Sequence, residues 1–155
     1  MKKSHILTLV GILIVDQISK FIAMNNIDVY QNIEVIKGFF SLTYVRNTGA
    51  AWSIMEGKMI FFYIISIVAL ITMIGFYRNA SDQDKYTKIG ITLMISGTIG
   101  NLIDRVFLQY VRDFLSFIIF NYDFPVFNVA DMALCIGVGF ILLQIYLESY
   151  GRAIK

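Results

Sequence analysis

Asp16, Asp104 and Asp131 each interrupt or border an apolar run long enough to cross a bilayer. A carboxylate at that depth costs roughly 2.5 to 3.5 kcal/mol on insertion scales, so three such acids point to a working site. A fourth, Asp113, is embedded in Val111-Arg112-Asp113-Phe114-Leu115, a stretch too apolar for an ordinary solvated turn. Two carboxyls in a poorly solvated site cannot easily both ionise, so one keeps a proton while the other acts as base. Such a pair can activate a water for attack on a peptide carbonyl, steady the oxyanion and protonate the leaving nitrogen. Asp104, Asp113 and Asp131 are the candidates for this aspartic peptidase chemistry, and their types alone do not choose between them.

Other chemistries lack parts. The single histidine, His5, lies at the far end of the first apolar run from every acid discussed, which leaves Ser-His, Cys-His and histidine-bound zinc sites without visible members. The single cysteine, Cys135, can form no disulfide within the chain and reads as packing. No phosphate loop or dinucleotide fingerprint occurs, so no metal and no cofactor are expected. A net charge of +2 without a basic block argues against nucleic acid as a partner.

The acids come with polar companions. Asn101-x-x-Asp104 and Asn128-x-x-Asp131 each set an amide and a carboxyl on one helix face. Asn128 also suits an N-cap after Pro125, with Asp131 near a positive helix start. Asp16 has Lys20 at i+4, which allows an internal ion pair bracing its helix, and Asp104 has Arg105 or Asn101 as a structural partner. Asp123, beside Asn121 and Tyr122 just before Pro125, reads as turn chemistry.

These groups must be positioned by elements whose solvent is lipid. Mean hydropathy is +0.69 and 57% of the 155 residues are hydrophobic, more than a soluble core of this size needs. Apolar runs at about 6–23, 59–77, 89–103 and 129–147 predict four transmembrane helices in a single membrane-embedded domain spanning 1–155, with outer loops at about 24–58 and 104–128. Lys2 and Lys3 before Ile6 resemble the start of a secretory signal, but Asp16 and Lys20 follow and no small-x-small cleavage site appears, so a retained helix is expected. Lys2, Lys3, Arg78, Lys85, Lys88, Arg152 and Lys155 fall on one side and predict cytoplasmic termini. Asp16, Asp104 and Asp131 then all occupy the outer half of the membrane. Phe40, Leu42 and Tyr44 alternate with Ser41, Thr43 and Val45, which predicts a small β-structured cap. Ser96 and Gly100 on the third helix, with Ala133 and Gly137 on the fourth, predict close packing of those two helices.

Five stretches taken in order resemble one family. They are Asp16-Gln17-Ile18-Ser19-Lys20, Arg46-Asn47-Thr48-Gly49-Ala50-Ala51-Trp52, Gly100-Asn101-Leu102-Ile103-Asp104-Arg105, Val111-Arg112-Asp113-Phe114 and Phe127-Asn128-Val129-Ala130-Asp131. Together they resemble the lipoprotein signal peptidases, aspartic peptidases also called signal peptidase II. The resemblance implies a four-helix bacterial inner-membrane enzyme that removes the signal peptide from a prolipoprotein just before a diacylglyceryl-bearing cysteine. It implies Asp113 and Asp131 as the catalytic pair, with Asp16, Lys20, Asn47, Gly49, Ala50, Asn101, Asp104, Arg105, Asn128 and Ala130 as substrate-binding or supporting residues. The implied partners are lipid-modified precursors and membrane lipid, and the enzyme is expected to work as a monomer.

The chain departs from that pattern at Arg112, where a second valine is usual, at Trp52 in place of phenylalanine, and at Thr98 before Ile99. Neighbouring strand residues face opposite ways, so Arg112 is expected to turn to solvent or lipid headgroups rather than to Asp113. The rival from another class is a proton-coupled transporter, because intramembrane acids also mark proton relays. It would need polar steps through the full membrane, yet the run from Met59 to Tyr77 has no acidic or basic residue. A noncatalytic assembly factor would need no acid pair.

Overall fold

The computed structural model describes residues 1–49 and 57–153. Helix α1 (Lys3–Asn26) leads into strands β1 (Asn32–Ile36) and β2 (Phe40–Asn47); helices α2 (Met59–Asn79) and α3 (Lys85–Leu108) follow. Strands β3 (Val111–Ile119) and β4 (Tyr122–Asp123) precede the last helix, α4 (Val129–Ala153). All four helices are long and apolar enough to span a membrane. The third runs past its apolar run at both ends, because the helix continues through the polar stretch Lys85 to Lys88 and through Asp104-Arg105 to Leu108.

Lipid-type packing accounts for the helix arrangement. Leu7, Ile14, Phe21, Ile60, Ile64, Ile71, Leu142 and Ile145 point outward, exposed, as a soluble protein could not tolerate in such number. The buried positions concentrate on α3, from Gly90 and Ile91 through Ser96 and Gly97 to Asn101 and Asp104, so α3 is the central helix. Its approach to α4 depends on missing side chains. A Cβ on Gly90 would come within 2.5 Å of the Gly137 carbonyl, and one on Gly97 would collide with the Ala130 carbonyl. The expected close packing of α3 and α4 is observed, but the tightest contacts are Gly90 with Gly137 and Gly97 with Ala130. Gly100 faces α1 as well as α4: an added Cβ would lie 2.7 Å from Asp16 Oδ2 and 3.1 Å from the Ala130 Cβ.

The cap is a four-stranded antiparallel sheet in the order β1-β2-β3-β4. The alternation seen at Phe40 to Val45 does form a strand, and its partner β3 comes from the second outer loop. Val45 lies opposite Asp113, Arg46 opposite Arg112 and Asn47 opposite Val111. A register shift between Leu42 and Val45 re-aims the strand just before these pairs. Ala23 and Ile27 at the end of α1 pack with Tyr44 and Phe114, fixing the sheet to the helices. At the opposite end, Met73, Tyr77, Ile91 and Ile95 form a second core, and Lys2 and Lys88 both reach Asp82. The sheet and the N-terminus thus occupy opposite ends of the bundle.

Candidate active site

Where α3, α4 and β3 meet, the amides choose the partners of two acids. Asn128 precedes α4, and its Oδ1 accepts the Asp131 backbone N–H at 3.0 Å while Asp131 Oδ2 accepts the Asn128 backbone N–H at 3.1 Å. That reciprocal pair follows the logic of a capping box and fixes Asp131 on the first turn. The remaining face of Asn128 is free to work elsewhere. Its Nδ2 donates to Asp113 Oδ1 at 2.6 Å and to Asn101 Oδ1 at 3.1 Å. Asn101 Nδ2 donates in turn to Asp131 Oδ1 at 2.7 Å, and Asn47 Nδ2 donates to Asp113 Oδ2 at 2.8 Å.

Asp113 and Asp131 are therefore joined through the single residue Asn128. Asp113 is 2% exposed, and burial together with the nearby Asp131 carboxylate pushes its carboxyl up to about 7. Donation from Asn47 and Asn128 opposes that rise without cancelling it. A carboxyl so placed keeps its proton up to about neutrality.

A second buried cluster lies behind this pair. Lys20 Nζ contacts Asp16 Oδ2 at 2.9 Å, Asn101 Oδ1 at 2.9 Å and Asp104 Oδ2 at 3.5 Å. Asp16 Oδ1 accepts the Ala130 backbone N–H at 2.8 Å, so an acid of α1 sits at the positive start of α4. Ala130 is wholly buried against Gly97 and Gly100, leaving no room for a larger side chain. The expected pair of Asp16 with Lys20 is present, and it extends into a network.

Two expectations are corrected here. Asp104 is held by Arg112 and Lys20, not by Arg105 or Asn101: Arg112 donates from its backbone N–H at 2.9 Å, from Nε at 3.2 Å and from a terminal nitrogen at 2.6 Å. Successive helix residues point about 100° apart, so Asp104 and Arg105 face different neighbours. Arg105 lies over the Phe62 ring, 4.8 Å from its centre, and donates to the Gly49 carbonyl at 3.3 Å; its buried Nε has no partner among the described residues. The second correction concerns Arg112, which does turn away from Asp113 but into the protein, 7% exposed, rather than to solvent or headgroups. An acid buried behind the strand attracts it, a fact no reading of the strand alone contains.

Gly49 donates its N–H to Asn47 Oδ1 at 2.9 Å, which orients the Asn47 amide toward Asp113. Ala50 and Trp52 lie outside the described residues. Gln17 was not among the expected site residues, yet its Nε2 approaches Asp16 Oδ2 at 3.0 Å and the Gly100 carbonyl at 3.2 Å, while its Oε1 accepts from Arg112 at 2.9 Å. Its position beside Asp16 in an apolar run was the available signal.

Four bilayer-length helices, a small sheet at one end and two carboxyls bridged beneath it are the equipment of a membrane-embedded aspartic peptidase. The family described as Signal peptidase (SPase) II matches residues 8–147. The chain belongs to that family of aspartic peptidases. It is 43% identical to a lipoprotein signal peptidase of Staphylococcus haemolyticus (strain JCSC1435), over 98% of this chain and 99% of that protein. Two solved structures, both described as bacterial membrane enzymes obtained by the in meso method, share the fold. One, at 2.3 Å resolution, has a TM-score of 0.90 and 39% identity over 96% of this chain and 91% of its own. The other, at 1.9 Å, has a TM-score of 0.84 and 41% identity over 92% of each.

Proposed function

We propose that this enzyme cuts diacylglyceryl-modified prolipoproteins immediately before the lipid-bearing cysteine, using Asp113 and Asp131 as its catalytic pair. The observation that carries the reading is Asn128, whose side chain donates to Asp113 and whose backbone N–H donates to the Asp131 carboxylate, so that both carboxyls are oriented by one residue. Asp113, titrating at about 7, supplies the proton, and Asp131 is the base. Asp131 takes a proton from a water as the water oxygen bonds to the scissile carbonyl carbon. Asp113 donates its proton to the carbonyl oxygen, giving a neutral tetrahedral diol. Collapse of the diol re-forms the C=O and breaks the C–N bond. The proton on Asp131 passes to the leaving cysteine nitrogen, a diol hydroxyl proton returns to Asp113, and a new carboxyl terminus and a free amine leave.

Asn47, Asn101, Arg105, Asn128 and the Gly49 carbonyl surround the pair and would hold the peptide backbone. Asp16, Lys20, Asp104 and Ala130 brace them from behind. The substrate's acyl chains stay in the bilayer, so the scissile bond lies near an interface and enters laterally between helices. We place the termini in the cytoplasm and the sheet at the outer face of the bacterial inner membrane, and read the enzyme as a monomer. The test is cleavage of a lipid-modified precursor by Asp113→Asn and Asp131→Asn variants in membranes. Both should insert normally and lose cleavage, with Asp123→Asn as a nearly silent control; retained turnover in either acid variant overturns the proposal.

A further inference from the structure

We propose that Arg112 is a positioning residue for this reaction: its guanidinium ties Asp104 and Gln17 together behind strand β3, aiming the next residue, Asp113, at Asn128, and it balances the charge of the acid directly behind the catalytic pair. The inference rests on the assignment of Asp113 and Asp131 as that pair.

The geometry is that of a built site. Arg112 is a long, charged side chain in a strand, and it is buried. Three of its nitrogens, one of the backbone and two of the guanidinium, reach the same carboxyl, Asp104, and a terminal nitrogen also reaches Gln17 Oε1. A planar guanidinium meeting a carboxylate at two points fixes direction as well as distance. With α1 and α3 both holding residue 112, the alternation of the strand turns Asp113 the other way, onto Asn47 of β2 and Asn128 at the start of α4.

Charge completes the argument. The ionisable groups gathered round the pair are Asp16 and Lys20 from α1, Tyr63 from α2, Asp104 and Arg105 from α3, Tyr44 from β2, and Arg112 itself, while the exposed Arg46 lies over the Tyr110 ring. Lys20 is shared between Asp16 and Asp104, so it cannot neutralise both. Arg112 supplies the missing positive charge. Without it, Lys20 is drawn toward Asp104 and away from Asn101 Oδ1, its 2.9 Å partner, and Asn101 is the donor that holds Asp131. An uncompensated carboxylate then also lies behind the strand that carries Asp113, which retains its proton to higher pH.

The experiment is the pH profile of kcat/KM for a fluorogenic diacylglyceryl-cysteine peptide, measured on the whole enzyme in micelles. Arg112→Met should lower kcat about tenfold with KM within about twofold, and move the alkaline limb upward by about one unit. Arg112→Lys, which keeps the charge, should leave that limb where it is. Arg112→Gln, which keeps a donor but not the charge, should show the Met shift, and it carries the test if Arg112→Met does not fold. A Met or Gln profile whose limb coincides with that of the parent enzyme overturns the proposal, however much kcat falls. If the parent enzyme cleaves and Asp113→Asn does not, that failure belongs to Arg112 alone; a parent enzyme that does not cleave the peptide sinks the function and the inference together.

Discussion

In the proposed mechanism Asp113 is the residue on which the chemistry turns, and its surroundings give the reaction a pH dependence. Its carboxyl is raised, first by burial and then by Asp131, to about 7. The proton is present below that value and lost above it, so kcat/KM should fall as pH rises through about 7, in step with the ionisation of the pair. The folded state binds this proton more tightly than the unfolded chain does. Asp113 therefore makes stability decline between about pH 4, the unfolded value, and about pH 7. A variant carrying Asp113→Asn should lose that slope when melting temperature is followed against pH in detergent, and a slope identical to the parent's would show that the proton resides elsewhere. Asp16 leaves little room beside it: a Cβ at residue 100 would lie 2.7 Å from Asp16 Oδ2, so the carboxylate would have to shift. Replacing Gly100 by alanine should displace Asp16 from the Ala130 N–H and cut activity about tenfold or more, read as kcat on protein that still inserts.

At the scale of elements, the site depends on how closely α3 and α4 approach, since Asn101 belongs to one and Asp131 to the other. Gly97 sits one turn before Asn101, against the Ala130 carbonyl. Gly97→Val should push the helices apart at a cost of about 1–3 kcal/mol and abolish cleavage, with the loss visible as a lower midpoint in thermal unfolding. An unchanged midpoint would mean the interface yields more easily than its backbone contacts imply. The cap is positioned by a lighter device. Gly49 donates to Asn47 and accepts from Arg105, so Gly49→Pro removes the donor that orients the Asn47 amide. It should raise KM, or end turnover, without removing the protein from the membrane; an unaltered rate would separate the cap from substrate capture.

For the whole molecule, the arrangement explains why a charged cluster survives in an apolar bundle. Asp16, Lys20 and Asp104 are all fully buried, yet each is paired or bonded across α1, α3 and β3. Truncating one partner leaves an unpaired buried charge, so Lys20→Met should cost about 3–5 kcal/mol and reduce folded yield. The orientation proposed for the bundle has its own check. In a Cys135→Ala background, cysteine at Lys37 in the cap should react with an impermeant thiol reagent on intact cells, and cysteine at Gln83 between α2 and α3 only after permeabilisation. The reverse pattern would invert the topology and move the acids to the inner face.

The sequence by itself determined the solvent, the number of helices and the acids worth attention, because hydropathy over some twenty residues and a carboxylate inside such a run are local properties. The Asn-x-x-Asp spacing likewise foretold shared faces, and Phe40 to Val45 foretold a strand. Pairing could not be read locally. That Asp104 belongs to Arg112 rather than to its neighbour Arg105, that Gln17 spans α1 and β3, and that Gly97 rather than Ser96 touches the Ala130 backbone were decided only when the strand returned over the helices. The physical reason is that a buried charge takes whichever opposite group desolvation and geometry bring to it. Residues 8, 33 or 95 positions apart become partners only in the folded chain.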